Sequence, residues 1–351
     1  RFSLFFPEKR DFFLEGAEAF KFGAGRYTLG SPQASTIQLF HSRRIGIESG
    51  NRVPILAGGR LTGKFGKNSL GLISIQTDKT IIDNGSEEYP RTNFSVLRFK
   101  RDVFSRSTIG FMFLNKQENR GDYNRSFGFD SNFNVTRSLS FNIVGAGTYM
   151  PGENNKRNNF AGTVGMDWTS DLWQYSASYL EIEKSFNPEI GFVRRKDIKR
   201  TDAGITYSPR PENWAAIRKF NFGARGFYQT DGNNRVVNKE ITGSFSINFE
   251  STASFSIRID REFEFLNRDF EVRPGLIIGQ DGYSNTNMRS SYRFDSNKAL
   301  SGSISVNAGD FFTGSTRGGG FSTNIKVLNR IIGSASFNYN RIKLPDGEFH
   351  T

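Results

Sequence analysis

Residues 242–265 read TGSFSINFESTASFSIRIDREFEF, and apolar and polar side chains alternate along nearly all of it. In the first half Phe245, Ile247 and Phe249 share one face, with Ser244, Ser246, Asn248 and Glu250 on the other. After a short break the pattern resumes, with Phe255, Ile257, Ile259 and Phe263 set against Ser254, Ser256, Arg258, Asp260 and Glu262. A period of two is the mark of a strand with one apolar and one polar face. Similar ladders occur at Phe127, Phe129, Phe133 and Val135, at Leu139, Phe141 and Ile143, at Phe160, Val164, Met166 and Trp168, and at Phe321, Ile325 and Val327. Each runs for roughly ten residues, the length that a tilted strand needs to cross a bilayer.

The links between ladders carry a second signal, because tight ones alternate with long ones. Residues 136–138, 170–171, 250–252 and 329–330 read as short turns, whereas 78–91, 117–124, 151–158, 184–200, 266–284 and 310–317 read as long polar loops. Short turns at one end and long loops at the other is how outer-membrane barrels distribute their periplasmic and extracellular connections. Pairing the links in this way gives roughly 16 strands between residues 53 and 343. Trp168, Trp173 and Trp214 all fall at the tight-turn end. That is the interfacial depth at which an apolar ring keeps its N–H in water.

Composition supports the same fold. Apolar residues make up only 36% of the 351, yet Phe contributes 36 and Gly 37, and Cys is absent. A wall one residue thick, apolar outside and wet inside, needs about one apolar residue in two, aromatics at its interfaces and Gly where strands bend or crowd. No run of about 18 apolar residues is present, which excludes a helical membrane protein and leaves a closed barrel as the only spanning structure. The absence of Cys excludes a disulfide framework and thiolate metal sites. The net charge of +12 is scattered along strands, with no basic helix or tail, and so argues against a nucleic-acid module. The chain opens on Arg1 in mid-pattern, so an export signal is expected upstream.

The first fifty residues differ. They are dense in Phe and charge without sustained alternation, and contain the basic pair Arg43 and Arg44. They read as a lumenal plug, an early loop, a periplasmic latch, or a pair of strands with an ordinary loop. The expected organisation is residues 1–50 in one of those roles and residues 51–351 as barrel strands.

FFPEKRDFFLEGAEAF at 5–20, HSRRIG at 41–46, PILAGGRLTGKFG at 54–66, PRTNFSVLRFKRD at 90–102 and RIKLPDGEFHT at 341–351 resemble the C-terminal region of Bacteroidota envelope proteins in the domain of unknown function 5916 family. That resemblance implies an outer-membrane barrel preceded by a domain similar to carbohydrate-binding module family 9, with further strands before Arg1 and after Thr351. It implies a link to glycans and supplies no catalytic residues. Members are often labelled hydrolases on account of the module.

Several residue sets bear on chemistry. Arg225, Arg258, Asp260, Glu262, Arg289, Arg293 and Lys326 fall on polar faces among Ser, Thr and Asn. They either line a conducting lumen, where mixed charge biases which solutes enter, or pair with one another and fill it. Arg194, Arg195, Lys196, Lys199 and Arg200 make the 184–200 link basic, suited to lipopolysaccharide phosphate or an anionic polysaccharide, or simply to water. Asp260, Glu262 and Glu264 follow at every second position, about 6.5 to 7 Å apart by strand rise, near the spacing of an inverting glycosidase and equally that of any polar pore. With only His41 and His350 present, a multi-histidine zinc site is excluded and a His-based hydrolase disfavoured. GAGRYTLG at 23–30 and the Gly318–Gly320 run lack the Lys-Ser/Thr pair of a phosphate loop.

The expected protein is therefore an antiparallel transmembrane β-barrel of the outer membrane, passing or receiving polar solutes that include carbohydrate. A carbohydrate-active hydrolase and a closed structural or assembly subunit stand as alternatives. Membrane lipid, lipopolysaccharide and oligosaccharide are the expected partners; no cofactor, metal or nucleic acid is.

Overall fold

The computed structural model describes residues 5–23, 37–48, 50–82, 87–152, 159–327 and 331–351. The tight link expected at 329–330, nearly all of the 23–30 fragment, most of the 151–158 link and the middle of the 78–91 link lie outside them.

Seventeen strands form one closed barrel in which each is hydrogen-bonded to its neighbours in sequence. They are β1 (Ile55–Phe65), β2 (Asn68–Thr77), β3 (Asn93–Val103), β4 (Ser107–Gln117), β5 (Tyr123–Asn134), β6 (Leu139–Tyr149), β7 (Phe160–Thr169), β8 (Trp173–Ile182) and β9 (Ile198–Tyr207), followed by β10 (Ile217–Thr230), β11 (Val236–Phe249), β12 (Ser254–Phe265), β13 (Gly282–Arg293), β14 (Leu300–Phe311), β15 (Gly314–Val327), β16 (Ile331–Leu344) and the short β17 (Gly347–His350). Sixteen of them run for ten to fourteen residues, long enough to span a bilayer when tilted. The chain divides into two compact units, residues 1–168 with 176–200, and residues 169–175 with 201–351.

In the second unit the alternation read at 242–265 propagates across the sheet. Register places Phe220, Ile247, Phe255, Tyr292, Ile304, Phe321 and Phe337 side by side on seven successive strands. One strand position away, on the opposite face, the row is Ser246, Ser256, Ser291, Ser305, Gly320 and Asn338. Ile304, Phe321 and Phe337 are exposed, together with Ile241, Ile259, Met288 and Ile325. So wide an apolar surface marks a wall in hydrocarbon.

In the first unit both faces are apolar in part. One carries Phe99, Phe111 and Phe129 in register on β3, β4 and β5, all exposed. The other carries Ile73, Ile75, Phe94, Val96, Met112, Leu114, Ala146 and Ala161, all buried, because the N-terminal segment lies on it. That segment forms a single helical turn (Asp11–Leu14), a 3-10 turn (Ala17–Phe20) and a second 3-10 turn (Ser42–Arg44), and contributes Phe13, Phe20, Ile37, Leu39 and Ile45 to the same core. The segment is packed against this face of the first unit's strands. Small residues make room for it. A row across β2 to β7 reads Gly71, Arg98, Met112, Gly128, Ala146, Ala161, and a Cβ at Gly128 would stand 2.5 Å from the Phe22 ring and 2.7 Å from Leu39.

Two expectations about links are corrected. Residues 310–317 are no long loop: β14 ends at Phe311 and β15 begins at Gly314, leaving a two-residue turn in which Phe312 takes φ 51°. The polar run belongs to the strands, since Ser315 and Arg317 pair with Lys343 and Arg341. The 184–200 link is no solvated loop either. Phe186, Ile190, Phe192 and Ile198 are buried in the plug core, and Phe192–Val193 forms a two-residue ladder with Ile37–Gln38. Its charges report one side of the segment, while four large apolar residues pin the other.

Substituting Gly128 by Val forces Phe22 and Leu39 off the wall. The expected cost is about 1–3 kcal/mol, with faster tryptic cleavage at Arg43 and Arg44; unchanged protease resistance in a folded variant would contradict the packing.

Candidate functional site

Three sets of side chains organise the candidate site, two under the plug and one on the polar face of the second unit. Under the plug, Arg98 of β3 reaches across β4 to Asp130 of β5 with hydrogen bonds of 2.5 and 2.9 Å. It passes over Gly110, where a Cβ would stand 2.5 Å from the guanidinium. Arg98 is 1% exposed and lies 5.7 Å from the Phe22 ring centre, while Gly23 N–H donates to Asp130. A charge so deeply buried is tolerable only when paired, so the pair ties the plug to three strands.

A second set closes the N-terminal segment on itself. Arg10 donates to Glu8 at 2.7 Å and to the carbonyls of Ile45 and Ser42 at 2.7 and 2.8 Å, and the Ser42 hydroxyl donates to Glu8 at 2.8 Å. Partial burial pushes the Glu8 carboxyl up, but hydrogen bonds from the Arg10 side chain and N–H, from Ser42 and from the Lys9 N–H outweigh it and hold the pKa at about 2. His41, packed between Phe5 and Phe192, is shifted below its usual range by burial and by Arg44. Beside this anchor, Lys116 of β4 bridges Glu118 and Glu189 at 2.8 Å each and so fastens the 184–200 link to the wall.

The third set lies on the polar face of the second unit. Arg258 donates to Asp260 at 2.7 Å and to Glu240 at 3.3 Å, and the Thr242 hydroxyl lies 2.7 Å from an oxygen of each carboxylate. Asn238 donates to Glu262 at 3.3 Å. Register sets Arg258 opposite Arg289, Ser254 opposite Arg293, and Glu262 opposite both Glu240 and Asn285. Arg289 and Arg293 are exposed. Acidic groups therefore gather toward the 266–281 link and basic ones toward the 250–253 turn. Arg225 and Lys326 occupy the same polar parity on β10 and β15, pairing with Thr242 and Ile332.

The other residues singled out in the sequence fall elsewhere. Arg194 is exposed, Lys196 donates to Asn187 at 2.7 Å, and Lys199, 4.0 Å from Glu181, lies with Arg200 inside β9. Trp168 closes β7 and Trp173 opens β8 across the 170–172 turn, and Trp214 stands in the 208–216 link. In the second unit an aromatic chain runs from Trp173 through Tyr207 (4.4 Å) and Phe222 (6.3 Å) to Phe245 (5.1 Å), with Trp214 5.5 Å from Phe220. The His350 ring hydrogen-bonds Tyr339 at 2.9 Å, and Asp260 of the acidic row is occupied by Arg258 and Thr242. Among the described residues no group of three or more acidic or His side chains could hold a metal ion.

Sequence reasoning passed over Arg98, Asp130, Lys116 and the Glu8–Arg10 anchor. One signal was available. In NFSVLRFK, Arg98 falls in phase with Phe94 and Val96, an isolated charge on a face that is otherwise apolar, which requires a partner.

Fold and site together define a transmembrane antiparallel β-barrel whose N-terminal segment packs on one face of its first unit. No family model matches the chain, and no curated protein matches it. Among solved structures it is similar to OpdO of Pseudomonas aeruginosa (11% identity, 82% of this chain and 83% of that one, TM-score 0.45) and to the outer membrane protein opdK of the same organism (10%, 84% and 88%, 0.46). OccAB2 of Acinetobacter baumannii is similar at 9% identity, over 84% of this chain and 86% of that one, with a TM-score of 0.43.

Two outcomes test the plug anchors. Glu8 is held below its ordinary value of 4.5, so its contribution is complete above that pH and is lost as pH falls toward about 2. Protection from hydrogen exchange in residues 5–23, taken relative to the intrinsic rate at each pH, should fall across this window in the parent, and should be low and flat with pH in Glu8→Gln. Asp130→Ala strands Arg98 and should cost about 3–5 kcal/mol in urea unfolding from micelles; the double variant Arg98→Met/Asp130→Ala should regain most of it.

Proposed function

We propose that this barrel resides in the outer membrane and passes small polar solutes along the polar face of its second unit. One observation carries the reading: among the described residues of the second unit that face is an array of hydroxyl, amide and charged side chains, whereas the same parity in the first unit carries apolar contacts to the N-terminal segment. Cross-strand pairs such as Ser256–Ser291 and Ser303–Ser322, each 2.9 Å apart, offer the donors and acceptors with which a hydroxylated solute exchanges its water. This chemistry supports carbohydrate as one class of cargo.

The charges act as a filter. Acidic side chains near the long-link end and basic ones near the tight-turn end create a field along the strands, favourable to a cation in one half and to an anion in the other. A neutral or zwitterionic solute meets no such opposition.

The test is single-channel conductance of the protein in a planar bilayer, with and without oligosaccharides. Steady steps blocked by sugar are expected, and Arg289→Ala/Arg293→Ala should lower the preference for anions over cations. Silence from protein shown to be folded and inserted would sink the open-pore reading.

A further inference from the structure

We propose that the lipid-facing side of β15 and β16 binds one phosphorylated, acylated glycolipid of the outer leaflet, its phosphate held among Arg317, Arg341 and Lys343 and an acyl chain laid along Gly319, Phe321 and Ile325. The proposal rests on the reading of the barrel as an outer-membrane protein whose long-link end faces outward. It concerns the outside of the wall and residues other than the basic 184–200 link, so it goes beyond the solute path.

Head and tail lie on one face of the same two strands. On β15 that face is made by Ser315, Arg317, Gly319, Phe321 and Ile325, and register sets Lys343, Arg341, Tyr339 and Phe337 of β16 opposite the first four. Phe321, Phe337, Ile325 and Tyr339 are exposed apolar side chains of the lipid-facing wall. Beyond Gly319 and Tyr339 the face turns basic in a single step, and Arg317, Arg341 and Lys343 are all exposed. Tyr339 stands at the boundary and shares a hydrogen bond of 2.9 Å with His350, the placement of an interfacial tyrosine with an apolar ring and a wet hydroxyl. Gly319 puts no side chain between Arg317 and Phe321, leaving a notch flanked by Val306 and Tyr339. From Arg317 to Ile325 is eight residues, about 26 Å along the strand, a track long enough for an acyl chain.

The charges call for an anion. Arg317 stands directly opposite Arg341, and like charges so placed destabilise a sheet. Glu348 of β17 pairs with Arg341 at 2.7 Å and lies opposite Lys343, so it offsets one charge of the three. Among the described residues no carboxylate pairs with Arg317. On the same face, at the end that carries the 266–281 link, Arg261 of β12 and Asp310 of β14 add one charge of each sign, Asp310 accepting the Thr286 N–H. Four cations therefore meet two carboxylates. A phosphate between Arg317 and Lys343 relieves the surplus and accepts charge-assisted hydrogen bonds, paired ones from a guanidinium. The depth just beyond an interfacial tyrosine is that of lipid headgroups, and a free anion would have no use for the apolar track below it.

The full chain is folded in detergent, checked by heat-modifiable migration, and exposed to equal amounts of bisphosphorylated lipid A, its dephosphorylated form and phosphatidylglycerol before native mass spectrometry. The parent should retain one lipid A in preference to both others, a comparison that needs no variant. Arg317→Gln/Lys343→Gln, which spares the Arg341–Glu348 pair, should lose the preference over the dephosphorylated form by about fivefold per cation removed. Arg289→Ala/Arg293→Ala, on the opposite face, should keep it. Equal retention of lipid A and its dephosphorylated form by the parent, a parent preference for phosphatidylglycerol, or an undiminished preference in the folded Arg317→Gln/Lys343→Gln variant would overturn the site. Displacement of lipid A by an equal concentration of inorganic phosphate would overturn the lipid in favour of a free anion. Bilayer conductance of Arg317→Gln/Lys343→Gln, expected to match the parent, separates failure of this site from failure of the channel.

Discussion

In hydrocarbon no water satisfies a backbone N–H or C=O, and every feature of this chain follows from that constraint. A strand can meet it only by pairing on both sides, and a sheet only by closing on itself. Once the ladder is complete the side chains are free to serve two environments, because successive residues point to opposite faces. The run Phe220, Ile247, Phe255, Tyr292, Ile304, Phe321 and Phe337 is what that freedom looks like on the lipid side. The Ser and Asn row one position away is the same freedom used for water.

The two units answer differently on the face turned from lipid. In the second unit polar residues meet solvent and bring the charges with them. In the first, Ile73, Val96, Met112 and Leu114 would be stranded in water were the N-terminal segment not laid over them with Phe13, Phe20 and Leu39. Each such side chain contributes about 1.5–3 kcal/mol on burial, and the plug core holds eighteen buried apolar residues. The segment is therefore part of the hydrophobic core of the first unit's wall.

How much of this was legible follows from where period two has a polar partner. Phe255 against Ser254 and Arg258 declares a strand and both its faces, so the strands and their approximate number emerged from sequence, and the tight-turn end was marked by Trp168, Trp173 and Trp214. Period two declared only the Phe face of SFGFD, whose other face is small, and is silent where both faces are apolar, as in SVLRF; the face that bears the N-terminal segment went unread for that reason. The segment 184–200 misled because charge outnumbers its apolar residues, although Phe186, Ile190, Phe192 and Ile198 decide its position. The turn at Phe312 misled differently: polar strand residues on either side lengthened the apparent loop, and only register with β16 divides strand from turn. Among candidate site residues, those on regular polar faces were found by phase alone. Arg98 and Asp130 were not, since their meeting depends on Gly110 between them.

That meeting also bears on why the plug seats in one place. Apolar contact is non-directional, so the trough of Gly71, Gly128, Ala146 and Ala161 does not by itself choose where along it an aromatic ring sits. A buried ion pair adds little net stability over a well-packed apolar substitute, yet it is intolerant of displacement, because moving Phe22 and Gly23 away strips Asp130 of a donor and leaves Arg98 facing a void. Apolar burial thus supplies most of the adhesion, and the Arg98–Asp130 pair supplies the register. The Glu8–Arg10–Ser42 cluster acts within the segment, where side-chain and carbonyl contacts join residues more than thirty positions apart and close it into one piece. One polar clasp to the wall and one inside the segment, on an apolar strip, are the arrangement by which a chain poor in regular structure becomes a fixed part of a wall.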